Sequence, residues 1–334
     1  MHIPTTNIRC LLENSRSAED LLLLPLLLLA AQRGPSTFVE LGGFTGEEGS
    51  QTWLLEKCYG WNGTIIEASS FNFAAMQNAG RTRSRMLQSA VCKPSGFIDM
   101  LVGDSSSSVS GEASLMTPFF RGRWSGVHKN RTESVPCSPL STLLGLPQLL
   151  PARAGSSTYG APKPVTFLSL DVEGAEEAVL DTLDGDAEFP FAVVLVEINR
   201  LTRQGAGELT KSSKRVLSKL TQAGLKQHPM PRYQGSDNAL FALSELGDPR
   251  FPADMGAPRY PQAGSPHFPI ASNESLVVHA RVAKHVDEVV AQLLKRPLSR
   301  HALFTKKWMG NAEGLARRAT LSVQALKAIG LYSI

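Results

Sequence analysis

The stretch VTFLSLDVEGAEEAVL, residues 165–180, runs from a largely apolar segment straight into Asp171, Glu173, Glu176 and Glu177, with Gly174 among them. Residues 165–170 read as a strand buried on both faces. A carboxylate at the tip of such a strand can take up a proton or ligate a hard cation. Glu176 and Glu177 have a simpler explanation: acids in the first turn of a helix are stabilised by its dipole, by ~0.3–1 kcal/mol. Asp171 gains nothing of that kind at a strand tip and reads as functional, while Glu173 stands between the two readings. Glu197 and Asn199 end the next apolar run, FAVVLVEIN. With Asp171 they make an oxygen-rich set able to hold Mg²⁺, although their spacing alone does not assign a metal site.

A second group of residues has the form of a ligand site. In VELGGFTG, a short strand ends in Glu40 and leads into Gly42, Gly43 and Gly46. Such a turn brings backbone close to a ligand at the carboxyl end of a parallel strand, where open α/β sheets bind ligands. These glycines do not fit the dinucleotide pattern G-x-G-x-x-G, because Phe44 and Glu47 occupy the later positions. Glu40 would also repel a pyrophosphate, and an acid there suits a cationic amine or sulfonium. Glu67 closes WNGTIIE, the next strand, and can accept hydrogen bonds from ribose hydroxyls. No histidine has a convincing partner. There is no G-x-S-x-G elbow, phosphate-binding P-loop or H-E-x-x-H.

The elements that must hold these residues alternate. Strands are expected at residues 37–41, 61–67, 85–92, 165–170 and 191–199, with helices near 53–58, 71–79 and 211–223 between them. Alternation of this kind implies a parallel sheet with helices on both faces. GLKQHPM and NALFALS are expected to close the sheet as a terminal hairpin, and VPCSPLSTLLGL reads as a strand turning into a short helix. DLLLLPLLLLAA, residues 20–31, is shorter than the roughly 20 apolar residues of a membrane span. Glu13, Glu19 and Asp20 stand where a signal peptide carries positive charge, so a buried helix is preferred to a targeting signal.

FVELGGFTG, GWNGTIIEAS, SAVC, FLSLDVEGAEEAVL and VVLVEIN occur in the order and approximate spacing of the FkbM-type methyltransferases, and residues 19–244 resemble that family. The resemblance implies an α/β fold: a Rossmann-like seven-stranded methyltransferase sheet with its last strand antiparallel and helices on both faces. It implies S-adenosylmethionine as cofactor and methyl transfer to a hydroxyl of a small molecule or glycan. Glu40, Gly42, Gly43 and Gly46 would then line the methionine part of the cofactor, Glu67 the ribose and Ala90 the adenine. Asp171 would lie by the methyl group, and Asp171 or Glu173 would serve as the base once burial raises its pKa.

Residues 1–246 are read as the methyltransferase-like domain, 247–270 as a Pro/Gly-rich linker and 271–334 as a basic helical extension. The net charge of +4 on 334 residues is uneven. Residues 280–334 carry 10 Lys and Arg against 3 Asp and Glu. The main domain is therefore slightly acidic, and no nucleic-acid partner is expected. A non-catalytic module acting through the basic tail is the competing reading. The sequons at Asn62, Asn130 and Asn273 are close to chance frequency. Cys10, Cys58, Cys92 and Cys137 show no C-x-x-C spacing, which argues against zinc or a disulfide scaffold and points to a reducing, cytoplasmic setting.

Overall fold

The computed structural model describes residues 10, 14, 16, 18–102, 110–116, 131–146, 163–183, 189–199, 208–228 and 238–246. The expected linker at 247–270 and the helical extension at 271–334 lie outside them. Two compact units are present, one of residues Leu23–Pro249 and one of Met1–Leu22 with Arg250–Ile334. In the second, Arg16 N–H donates to the Asp20 carboxylate (2.7 Å) near the start of helix α1 (Ala18–Ala31).

The larger unit contains strands β1 (Thr37–Leu41), β2 (Asn62–Glu67), β3 (Ser84–Gln88), β8 (Val165–Leu170), β9 (Phe191–Glu197), β10 (Leu225–His228) and β11 (Asn238–Leu243) in one sheet. Its order is β10-β11-β9-β8-β1-β2-β3. β3, β2, β1, β8 and β9 pair in parallel, and β11 runs antiparallel to both β9 and β10. This is the seven-stranded methyltransferase sheet expected above, terminal hairpin included. Helices α2 (Trp53–Tyr59) and α3 (Ser70–Gln77) lie on the crossovers between the first three strands. Helices α5 (Glu176–Asp181) and α6 (Lys211–Gln222) follow β8 and β9.

Burial explains why these segments hold. β8 is buried along its whole length, and β9 along all but its last residue. They share a core with Val179 and Leu180 of α5 and Val216 and Leu220 of α6. Each such side chain contributes roughly 1.5–3 kcal/mol on burial. Leu23, Leu24, Leu26 and Leu27 of α1 are buried too. That outcome agrees with the helix expected there. Among the described residues no helix is long and apolar enough to cross a membrane.

Two expectations need correction. Residues 85–92 do not form one strand. β3 stops at Gln88, and β4 (Ala90–Val91) joins a second sheet ordered β4-β7-β5-β6. The others are β5 (Gly96–Leu101), β6 (Gly111–Glu112) and β7 (Thr132–Ser138), which leads into helix α4 (Leu140–Leu144). β4 pairs with β7 at Ala90↔Cys137 and Val91↔Ser138. That pairing brings Cys92 to Cys137, 45 residues away, and they form a disulfide with Cα atoms 5.5 Å apart.

None of the four cysteines is free. The expectation of reduced cysteines therefore fails, because sequence spacing says nothing about which strands pair. Disulfides persist in oxidising compartments, so the cysteines lend no support to the cytoplasmic reading.

Candidate functional site

Strand register builds the site. Leu41 aligns with Ile66 and with Leu170, and Leu170 aligns with Val196. One residue further on, the carboxyl edge of the sheet therefore carries Glu67, Gly42, Asp171 and Glu197 in a row. Four residues scattered over 156 positions in sequence become neighbours because the strands are parallel and in register.

The glycine turn leaves this edge under severe crowding. Gly42 has φ +78°, and a Cβ there would lie 1.8 Å from the Asp171 carbonyl oxygen. A Cβ on Gly43 would meet Ile65 Cγ2 at 2.2 Å, and one on Gly46, also at positive φ, Met76 Cγ at 2.7 Å. The close approaches that demand glycine are thus to the tip of β8, to β2 and to α3, where the sequence had suggested a ligand. Gly42→Ala should displace the Asp171 tip. Overpacking of about 1–3 kcal/mol and the left-handed backbone act together, so urea unfolding should show a loss of at least about 2 kcal/mol.

Glu40 points into a buried network. Its carboxylate accepts from Ser50 Oγ (2.8 Å), Gln51 N–H (2.8 Å) and Thr52 Oγ1 (2.5 Å), and lies 3.5 Å from the Arg81 guanidinium. Arg81 also donates to the Gly46 carbonyl (2.7 Å) and to Ser50 Oγ (2.5 Å), and pairs with Glu56 at 3.4 Å. Burial pulls Glu56 upward, but hydrogen bonds from Ser84, Thr82 and Arg83 and the Arg81 charge outweigh it, leaving its pKa below the ordinary value. Glu40 thus braces the glycine turn from behind. Neither Arg81 nor Glu56 stood out in the sequence, where an arginine between strands reads as surface.

Glu67 closes the same turn from the other side. One carboxylate oxygen accepts from Phe44 N–H and the other from Ser69 N–H, both at 2.8 Å. Burial raises its pKa to about 7, against these hydrogen bonds and one from Asn72. Below pH 4.5 Glu67 is protonated in the folded and unfolded chain alike. Between 4.5 and about 7 the folded state holds a proton that the unfolded state has released, so stability falls as pH rises through this window. The loss is about 3 kcal/mol. Urea midpoints measured across the window should decline, and Glu67→Gln should flatten that decline. Ser89 and Ala90 follow the edge of β3: Ser89 N–H donates to the Glu67 carbonyl at 3.2 Å, and Ala90 is buried in β4.

The acids after β8 divide into separate tasks. Glu176 is buried, and its Oε1 accepts from Val172 N–H (3.2 Å) and Gly174 N–H (3.0 Å). It holds the loop that presents Asp171 and Glu173, a positioning role that the helix-dipole reading missed. Burial is the main reason its pKa rises to about 7. Glu177 makes a two-pronged ion pair with Arg215 of α6, with Nη2 to Oε2 at 2.8 Å, and that bond lowers its pKa.

Asp171 is exposed, and Glu173 sits at φ +55°. Glu197 is partly covered as a residue, but its Oε2 is sealed from solvent. Burial, then the charges of Asp171, Glu173 and Glu176, pushes its pKa well above the usual carboxylate range. One oxygen from each of Asp171, Glu173 and Glu197 lies within 4.8 Å of the others. Asn199, expected as a partner of this set, has its backbone tied to α6 through Ser213 Oγ and Thr210 N–H.

No family model and no curated protein matches the sequence. Solved methyltransferase structures match the chain at low similarity. An O-methyltransferase from Bacillus cereus, solved in complex with SAH, is 12% identical with a TM-score of 0.37, over 72% of this chain and 91% of that one. An O-methyltransferase assigned in Klebsiella pneumoniae is 11% identical with a TM-score of 0.34, over 73% and 91%. A precorrin-6y C5,15-methyltransferase from Geobacter metallireducens is 6% identical with a TM-score of 0.31, over 65% and 82%. At these values the fold assignment rests on the strand order and directions described above.

Proposed function

We propose that this chain is an S-adenosylmethionine-dependent methyltransferase of the FkbM type that methylates a hydroxyl oxygen of a small molecule or glycan. The observation that carries this reading is the row Glu67–Gly42–Asp171–Glu197 along the carboxyl edge of the sheet. It sets side by side the acid that would hold the ribose, the glycine turn and an acid that would take the proton.

The donor set fits the cofactor. Glu67 stands at this edge with its carboxylate held by Phe44 N–H, Ser69 N–H, Asn72 and Ala68, and a ribose hydroxyl would share the carboxylate with these donors. The turn from Gly42 to Gly46 would meet the methionine part, and Ala90 the adenine. The bound cofactor supplies an electrophilic methyl group on a positively charged sulfur. Alignment of the acceptor is then the main requirement. Asp171 or Glu173 would take the proton of an acceptor hydroxyl held at this edge, and the cofactor would supply the methyl group.

Isothermal titration of the full chain with S-adenosylmethionine tests the reading. Saturable binding is expected, weakened about 10–100-fold in Glu67→Ala by loss of charge-assisted hydrogen bonds of ~1.5–3 kcal/mol. No binding by the wild type would favour a non-catalytic module, and equal affinity in the variant would remove Glu67 from the site.

A further inference from the structure

We infer that Asn62 is an N-glycosylation site, the acceptor of an oligosaccharide carried on a polyprenyl pyrophosphate. Asn62, Gly63 and Thr64 form the pattern N-x-T with a residue other than proline in the middle, as this modification requires. Frequency gives the sequons no weight, so position and compartment must decide. Asn130 and Asn273 lie outside the described residues.

The position of Asn62 suits a bulky graft. Helix α2 is closed by Gly60, whose φ of 67° turns the chain, and Asn62 opens β2 directly afterwards. Asn62 is exposed, whereas the last three residues of the strand, Ile65, Ile66 and Glu67, are buried. Alternation along a strand puts the Asn62 and Thr64 side chains on one face. Asn62 stands beside Thr37, at the amino edge of the sheet. Asn62 and Glu67 are the two ends of this six-residue strand. At ~3.3 Å per residue they lie about 17 Å apart. A glycan rooted at Asn62 therefore leaves the carboxyl edge open.

The cysteines supply a second, independent observation. Cys92 and Cys137 are joined, and Cys10 and Cys58 are disulfide-bonded as well. Disulfides persist in oxidising compartments such as the endoplasmic reticulum lumen. Sequons of secreted chains are glycosylated in that same lumen. A chain with all its cysteines oxidised meets the transferring enzyme with Asn62 in reach.

In the transfer, the Asn62 side-chain nitrogen bonds to the anomeric carbon of the first sugar as the bond from that carbon to the pyrophosphate oxygen breaks. The lipid pyrophosphate leaves with the electron pair, and the amide nitrogen gives up one proton to a base of the transferring enzyme. Nothing is oxidised or reduced. This inference does not rest on the methyl-transfer reading.

For the test, the full-length chain is expressed in cultured eukaryotic cells and treated with peptide N-glycosidase in heavy-oxygen water. The enzyme converts a glycosylated asparagine to labelled aspartate, and mass spectrometry of the tryptic peptide 58–81 reads position 62. Label is expected at Asn62 in the wild type and in Thr64→Ser, which keeps the sequon. It should be lost in Asn62→Gln and Thr64→Ala, with circular dichroism as a check on folding. Unlabelled Asn62 in the folded wild type overturns the site, whether or not another sequon is labelled. Label that persists in Thr64→Ala reports spontaneous deamidation at Asn62–Gly63 and overturns it too.

Discussion

Arg81→Ala should destabilise the protein by about 3–5 kcal/mol, the usual cost of stripping one partner from a buried ion pair. The Arg81 side chain is fully buried between Glu40 and Glu56. It also donates to Ser50 Oγ and to the Gly46 carbonyl. Without it, two carboxylates remain in the interior with hydrogen bonds but no countercharge. Arg81→Lys should fall between the two, because one ammonium cannot span partners that the guanidinium reaches with three nitrogens. Arg81→Met combined with Glu40→Gln and Glu56→Gln should lose less than Arg81→Ala alone, since no charge is then stranded. Urea unfolding monitored by circular dichroism measures all three. A loss under about 1 kcal/mol in Arg81→Ala would mean that water reaches the network, and the bracing role given to Glu40 would go with it.

If Asp171 is the base in the methyl transfer proposed above, Asp171→Asn should leave the fold intact and lower that rate by about 10²–10⁴-fold, the range for loss of a general base. Asn is nearly isosteric, and the backbone bond from Asp171 N–H to the Leu41 carbonyl (3.2 Å) does not involve the side chain. The substitution also takes one negative charge from beside Glu197 and Glu176, both of which Asp171 raises. Stability should therefore hold or increase slightly while turnover collapses. A merely structural residue would show the reverse. Single-turnover transfer of a labelled methyl group, with cofactor affinity measured alongside, separates chemistry from binding. Wild-type turnover in Asp171→Asn would reduce this residue to a spectator at the strand tip.

Most of the sheet was legible in the sequence because strand burial is written locally. The apolar runs 165–170 and 191–196 can satisfy their burial only between other strands. The glycine spacing likewise marked a turn at the end of β1, and the carboxylates after β8 marked the strand tip where three acids meet. What the glycines approach was not legible. Gly42 is required by the Asp171 carbonyl, 129 residues away, and no local pattern records that contact. Glu176 and Glu177 are adjacent and chemically alike, yet one is buried holding a loop and the other pairs with Arg215. The helical turn sends them to different surfaces, and only packing decides which surface is covered.

The second sheet and the Cys92–Cys137 disulfide escaped for the same reason. β4 is two residues long, too short for any periodicity, and exists only because β7 returns to pair with it. The sequence by itself determined the order of the elements, the chemistry available at their ends and the strands whose burial demands a common core. Only the tertiary structure decided the register, and with it that Glu67, Gly42, Asp171 and Glu197 form one row. Register is a pairing energy between segments far apart in the chain, so no residue carries it alone.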